Sequence, residues 1–114
     1  MDVKIAISSN DGVNVNEHFG RAHGFYIYRL YDNAHEFVEL RENIPVCSGH
    51  THDDDALAHT AQALSDCCGV VAAQTGSGAI DALLMKRIMA FTLPGPIEEA
   101  IEALVRAKRF AYLK

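Results

Sequence analysis

Two hydrophobic rhythms divide this chain, and their order restricts its fold more than any other feature. Phe25-Tyr26-Ile27-Tyr28-Arg29-Leu30 and Glu36-Phe37-Val38-Glu39-Leu40 alternate with the period of two expected of half-buried strands. Asp32-Asn33 between them carries hairpin turn chemistry. Upstream, Val3-Lys4-Ile5-Ala6-Ile7-Ser8-Ser9 reads as a strand entering the core, ended by the turn residues Asn10-Asp11-Gly12. After Pro45 the rhythm changes. Leu57, Ala61, Leu64 and Cys68 recur at near-helical spacing behind Asp53-Asp54-Asp55, which supply an N-cap and first-turn acids, and Gly69 is expected to stop that helix. Val70-Val71-Ala72-Ala73 then reads as a short buried strand, Ile80, Leu83 and Leu84 as one helix face, and Ile88-Met89-Ala90-Phe91 as another strand. Leu93-Pro94-Gly95-Pro96 turns into a third helix, with Pro96 in its first turn and Ile97, Ala100, Ile101 and Leu104 facing inward. Tyr112-Leu113 is too short to assign.

Three strands followed by alternating helices and strands predict an α/β fold, a mixed five-stranded sheet flanked by about three helices. Right-handed crossovers make the two later strands parallel, and short connections place them beside the first strand. Ribonuclease-H-like and flavodoxin-like folds both fit this order, and the early antiparallel pair favours the ribonuclease-H-like one. At 114 residues, the expectation is one domain over residues 1–114, large enough for a core without staples.

Composition removes several functional classes. The formal net charge of -5, without a basic stripe, argues against nucleic acid. The C-terminal cations Arg106, Lys108, Arg109 and Lys114 suit the negative end of a helix dipole. Neither an apolar run near the ~18 residues of a membrane span nor a charged-then-apolar leader is present, so the expected location is cytoplasmic, without a membrane. Three cysteines, with Cys67 and Cys68 adjacent, argue for reduced thiols rather than a disulfide framework.

Chemistry concentrates in Cys47-Ser48-Gly49-His50-Thr51-His52-Asp53-Asp54-Asp55. Its thiol and imidazoles suit soft or borderline metals, and Gly49 lets Cys47 and His50 turn toward one centre. Cys47, His50 and His52 could serve zinc, with Asp53 as a fourth ligand. However, structural zinc sites normally draw two ligand pairs from separate segments, so this run reads better as an open site. Asp53 to Asp55 read as helix cap and first turn rather than as ligands. Cys67 and Cys68 read as core or helix-end thiols, with Cys68 facing inward beside Leu64. Cys47 with His50 lacks the scaffold that nucleophilic catalysis requires, and no catalytic residue is expected.

In open α/β sheets, sites lie beyond the carboxyl ends of the strands. Here those ends are polar: Ser8-Ser9-Asn10, Gln74-Thr75-Gly76-Ser77-Gly78 and Thr92. Backbone N–H groups around Ser77 and Gly78 would form an anion-binding corner, compatible with Ser77 also capping the helix. The glycine-rich turn is neither a Walker A sequence nor a dinucleotide fingerprint, and the first strand lacks the acids of two-metal nucleases. His23, His35 and His59 read as surface residues.

The loop Asn16-Glu17-His18-Phe19-Gly20-Arg21-Ala22, following Lys4-Ile5-Ala6-Ile7-Ser8, resembles the signature of the dinitrogenase iron–molybdenum cofactor biosynthesis family, the NifX/NafY-type domains also found at the C-terminus of NifB. The resemblance continues through Glu42-Asn43, the Cys47-x-x-His50 loop, Leu64-Ser65-Asp66-Cys67, Gly76-Ser77-Gly78 and Gly95-Pro96-Ile97-Glu98-Glu99-Ala100. It implies a ribonuclease-H-like fold that binds an iron–sulfur or molybdenum-containing cluster without turning over a substrate. It further implies His18 as the leading ligand, Cys47, His50 and His52 as helpers, and cluster-assembly or acceptor proteins as partners. The corner at Ser77 and Gly78 would suit an anionic cluster. Many relatives carry glycines where this chain has Gln74-Thr75, and the chain has no Cys-x-x-x-Cys-x-x-Cys radical-SAM run. A cluster shared across a homodimer would suit so short a loop. The alternative is a regulatory or adaptor domain of the same fold that binds a protein partner and zinc.

Overall fold

The central strand β1 (Val3–Ser8) shows how the sequence builds two layers. Val3, Ile5 and Ile7 project to one side and Ala6 to the other, as the two-residue period of a strand requires. In the computed structural model, which describes residues 3–31, 34–42 and 53–107, each side is covered by helices.

β1 pairs antiparallel with β3 (Gly24–Leu30), which pairs antiparallel with β4 (His35–Glu42). On its other edge β1 pairs parallel with β5 (Gly69–Ala72), and β5 pairs parallel with β6 (Met89–Thr92). The order β4-β3-β1-β5-β6 is therefore a mixed five-stranded sheet, with the later strands parallel and beside the first as expected. An all-parallel flavodoxin-like sheet is not what the chain builds. Val38 is the additional residue of a bulge, because Ile27 pairs with Glu39 while Tyr28 pairs with Phe37. The Asp32-Asn33 turn and Tyr112-Leu113 lie outside the described residues, as do Lys108, Arg109 and Lys114; Arg106 does lie in the last turn of the third helix.

The helices α1 (Asp53–Ala63) and α2 (Ser77–Met85) connect the parallel strands and pack together over Ala6, Phe25, Ile27, Val70 and Ala72. Helix α3 (Ile97–Ala107) covers the other side, where Ile97, Ala100, Ile101 and Leu104 meet Ile5, Ile7 and Val71. A two-residue ribbon that sequence periodicity does not register joins β2 (Asn14–Val15) to β7 (Gly95–Pro96).

Four local expectations are corrected. α1 ends at Ala63, not at Gly69: Leu64, Ser65 and Cys67 make i→i−3 bonds, and Gly69 opens β5, where a Cβ would come within 3.0 Å of the Phe91 ring. The early ending reverses the cysteines. Cys67 is buried on the α1–α2 side, whereas Cys68, with its N–H on the Lys4 carbonyl, packs half-buried on the α3 side. On α2, Ala79 and Leu83 are buried while Ile80 and Leu84 are exposed, since two layers leave only a narrow stripe of so short a helix inward. Pro96 belongs to β7, one residue before α3 begins. α2 itself closes with Arg87 at φ 61°, where Arg87 donates to the Leu84 carbonyl and Ile88 to that of Leu83, a Schellman ending that usually holds glycine.

Candidate functional site

At the carboxyl end of β1 the chain turns through a loop that consumes most of its own polar groups. Asp11 Oδ1 accepts the N–H groups of Val13 and Asn14 at 2.9 Å, and the Ser9 hydroxyl accepts those of Asp11 and Gly12. Chiefly the Asn14 and Val13 N–H groups pull the Asp11 carboxyl down to about 2. Asn16 bonds Asn10 through both its amide atoms, at 3.0 and 2.9 Å. These residues build the loop rather than wait for a ligand.

The loop then runs back along the extension of β5. Ala73 donates to the Glu17 carbonyl and Phe19 to that of Gln74, each at 3.0 Å, so His18 lies in a parallel bridge opposite Gln74. Phe19 is fully buried with its ring centroid 5.5 Å from that of Phe25, and Phe19–Arg21 form a 3₁₀ turn in which Arg21 N–H donates to the His18 carbonyl. The backbone on both sides of His18 is thus held, while its exposed ring has no hydrogen-bond partner among the described residues. That ring lines a hollow of about 280 Å³ with Asn10, Asn16, Glu17, Arg21 and His23.

Helix α2 begins three residues beyond the His18–Gln74 bridge. Its N-cap is Gly76 and not Ser77, which is the first helical residue, because Gly76 holds the extended φ/ψ of a cap position. No side chain caps it and no acid lies in its first turn. Ser77 and Gly78 are exposed, and a Cβ on Gly76 would meet nothing within 4 Å. Among the described residues, therefore, no side chain or acid compensates the dipole at the first N–H groups of α2. The buried hydroxyls of Ser8 and Thr75, at the ends of β1 and β5, have no partner among the described residues.

Cys47, His50 and His52 lie outside the described residues. The last described residue before them, Glu42, pairs with Gly24, the residue after His23. Among the described residues no three His, Cys, Asp or Glu side chains form a metal-holding group, and no helix is long and apolar enough to cross a membrane. His35 and His59 are exposed, as expected; His23 is exposed but engaged by Glu17. Glu17, Arg21 and His23 line the hollow at His18 and are not among the sequence's candidate residues. The only signal for the Glu17–His23 contact is a turn-forming Phe-Gly-Arg run between a carboxylate and an imidazole, which periodicity does not detect.

Residues 1–107 match the family model described as dinitrogenase iron-molybdenum cofactor. The FeMo cofactor biosynthesis protein NifB of Sinorhizobium fredii is 34% identical over 105 residues, 92% of this chain but 18% of that protein. The chain therefore spans less than a fifth of that relative. Among solved structures, PH0822 superposes with a TM-score of 0.67 at 23% identity over 91% of both chains. The Thermotoga protein TM1290, of the DUF35 family, gives 0.66 at 21% identity over 93% of this chain and 90% of that one. These two likenesses speak for the fold alone.

Proposed function

We propose, starting from the fact that the chain belongs to the dinitrogenase iron-molybdenum cofactor family, that it is a small non-catalytic carrier or scaffold for an iron–sulfur or molybdenum-containing cluster in nitrogenase cofactor biosynthesis. The observation that carries this reading is His18: a ring with no partner among the described residues, on a backbone held from both sides, at the carboxyl pole of the sheet. A ligand fixed in this way loses little freedom on binding.

The surroundings fit an anionic cargo. Imidazole suits borderline and soft metals, Arg21 in the same hollow supplies positive charge, and the open N–H groups at Ser77 and Gly78 supply an uncompensated helix N-terminus. The orphaned hydroxyls of Ser8 and Thr75 leave polar capacity at the same strand ends. Cys47, His50 and His52, which follow Glu42 in the chain, would complete the ligand set. We read the strand order as ribonuclease-H-like, with the site at the carboxyl pole of the central strands. The cargo would pass between assembly and acceptor proteins in a reducing cytoplasm.

Anaerobic incubation with iron, sulfide and tetrathiomolybdate should give the wild-type protein stoichiometric metal and visible charge-transfer absorption. His18→Ala should lose most of both, and Cys47→Ala should weaken them. Colourless wild-type protein holding only zinc, or a His18→Ala variant loading like wild type, would sink the reading.

A further inference from the structure

We infer that His23 is a second metal ligand of the cleft, presenting Nε2 to a transition-metal centre while Glu17 holds its ring. The inference rests on the reading of the cleft as a metal site and extends it to a residue that the sequence marks only as a surface histidine.

Glu17 grips His23 twice. Its Oε1 accepts the His23 main-chain N–H at 3.1 Å, and its Oε2 lies 3.1 Å from Nδ1. A carboxylate can only accept, so Nδ1 is the donor in this contact and Nε2 is the ring nitrogen left to meet a metal. Metal-binding histidines are commonly oriented in this way, with the second ring nitrogen donating to a carboxylate.

The grip differs from an ordinary surface pair, in which two mobile side chains meet for at most about 1 kcal/mol. The Glu17 side chain is only 11% exposed while that of His23 is 73% exposed: the brace is buried and the ring it holds is open. Glu17 is itself anchored, since its carbonyl accepts the Ala73 N–H. One residue therefore ties the β5 extension, the backbone before β3 and the imidazole together. His18 and His23 line the same hollow of about 280 Å³, from opposite ends of the 3₁₀ turn. Two imidazole nitrogens suit cobalt, nickel, zinc or iron, with water or the cargo filling the other positions. Arg21 and Glu17 line that hollow with charges of opposite sign, so a metal ion there meets a carboxylate as well as a guanidinium.

Zinc ion alone, added to the full chain and followed by ¹H–¹⁵N correlation of the imidazole nitrogens, reads each histidine separately. Without metal, His23 should show the Nδ1–H tautomer; with zinc, the His23 Nε2 and His18 ring signals should move together over one concentration range. His23→Ala, a change at an exposed side chain, should weaken zinc binding at His18 at least tenfold. Glu17→Ala should weaken it by about tenfold and mix the tautomers, while Glu17→Gln, which retains an acceptor, should restore most of the loss. Movement of His18 with His23 unmoved would overturn the inference and leave the cleft reading intact. If neither ring responds, His23 is no transition-metal ligand and the inference is overturned, whereas the cleft reading stands or falls with His18-dependent cluster loading. Unchanged binding in Glu17→Ala would overturn the positioning role of Glu17.

Discussion

Single residues carry the backbone geometry on which the loop between β1 and His18 depends. Gly12 sits at φ 74°, and a Cβ there would lie 2.8 Å from the Tyr26 ring. A side chain at Gly12 meets both the left-handed penalty and an aromatic wall. Gly12→Ala should therefore destabilise the protein by about 2 kcal/mol, measurable by urea unfolding, with a midpoint like wild type as the contrary result. Because the Asp11 turn feeds the His18 segment, metal uptake should fall with it. Asn-Asp-Gly identified this turn in the sequence, but nothing local could say that Tyr26, on β3, would be the wall.

Helix α2 shows how much an element owes to its neighbours. Its sequence placed Ile80, Leu83 and Leu84 on one face, yet only Leu83 is buried, together with Ala79, while Leu84 is 56% exposed. The helix is nine residues long and contacts α1 on one flank and the sheet beneath, so its apolar arc is wider than the surface available to cover it. Leu83→Ala should cost about 2–5 kcal/mol, the range for a truncated core leucine. Leu84→Gln should stay within about 0.5 kcal/mol, as for most surface substitutions. Comparable losses in the two variants, by thermal or chemical unfolding, would contradict the observed burial. The same lesson holds for α1, whose early end at Ala63 exchanges the environments of Cys67 and Cys68. Burial pushes the Cys67 thiol up to about 12, which makes it a poor nucleophile and ligand in the folded protein.

Across the whole molecule, the edge strand is tied to the helical layer by charge. Arg41 on β4 donates to Asp66 at 2.7 and 2.6 Å and to the Ala63 carbonyl at 3.0 Å, so one guanidinium joins β4 to the end of α1. The Arg41 bonds hold the Asp66 carboxyl well below its ordinary value of 3.8. A carboxyl depressed by folding contributes fully above the ordinary value and loses that contribution as the pH falls from there toward the folded one. Stability should therefore decline below about pH 4, and Asp66→Asn should flatten that limb while lowering stability near pH 7 by about 1 kcal/mol after allowance for solvent screening. An acid limb of unchanged slope in Asp66→Asn would refute the assignment. A pairing 25 residues apart leaves no trace in local sequence pattern.

The sequence by itself determined the five strands of the main sheet, the three helices and their order, because strand and helix periods are short-range properties written into neighbouring side chains. It also marked the His18 loop as the place of interest, through a family resemblance that the match over residues 1–107 bears out. Tertiary structure decided which residues meet at that place. Gln74 bridges His18, and the Ala73 N–H anchors Glu17, only because β1 and β5 lie parallel and side by side. Such contacts depend on how the layers close over one another, and that is settled by packing between residues far apart in the chain.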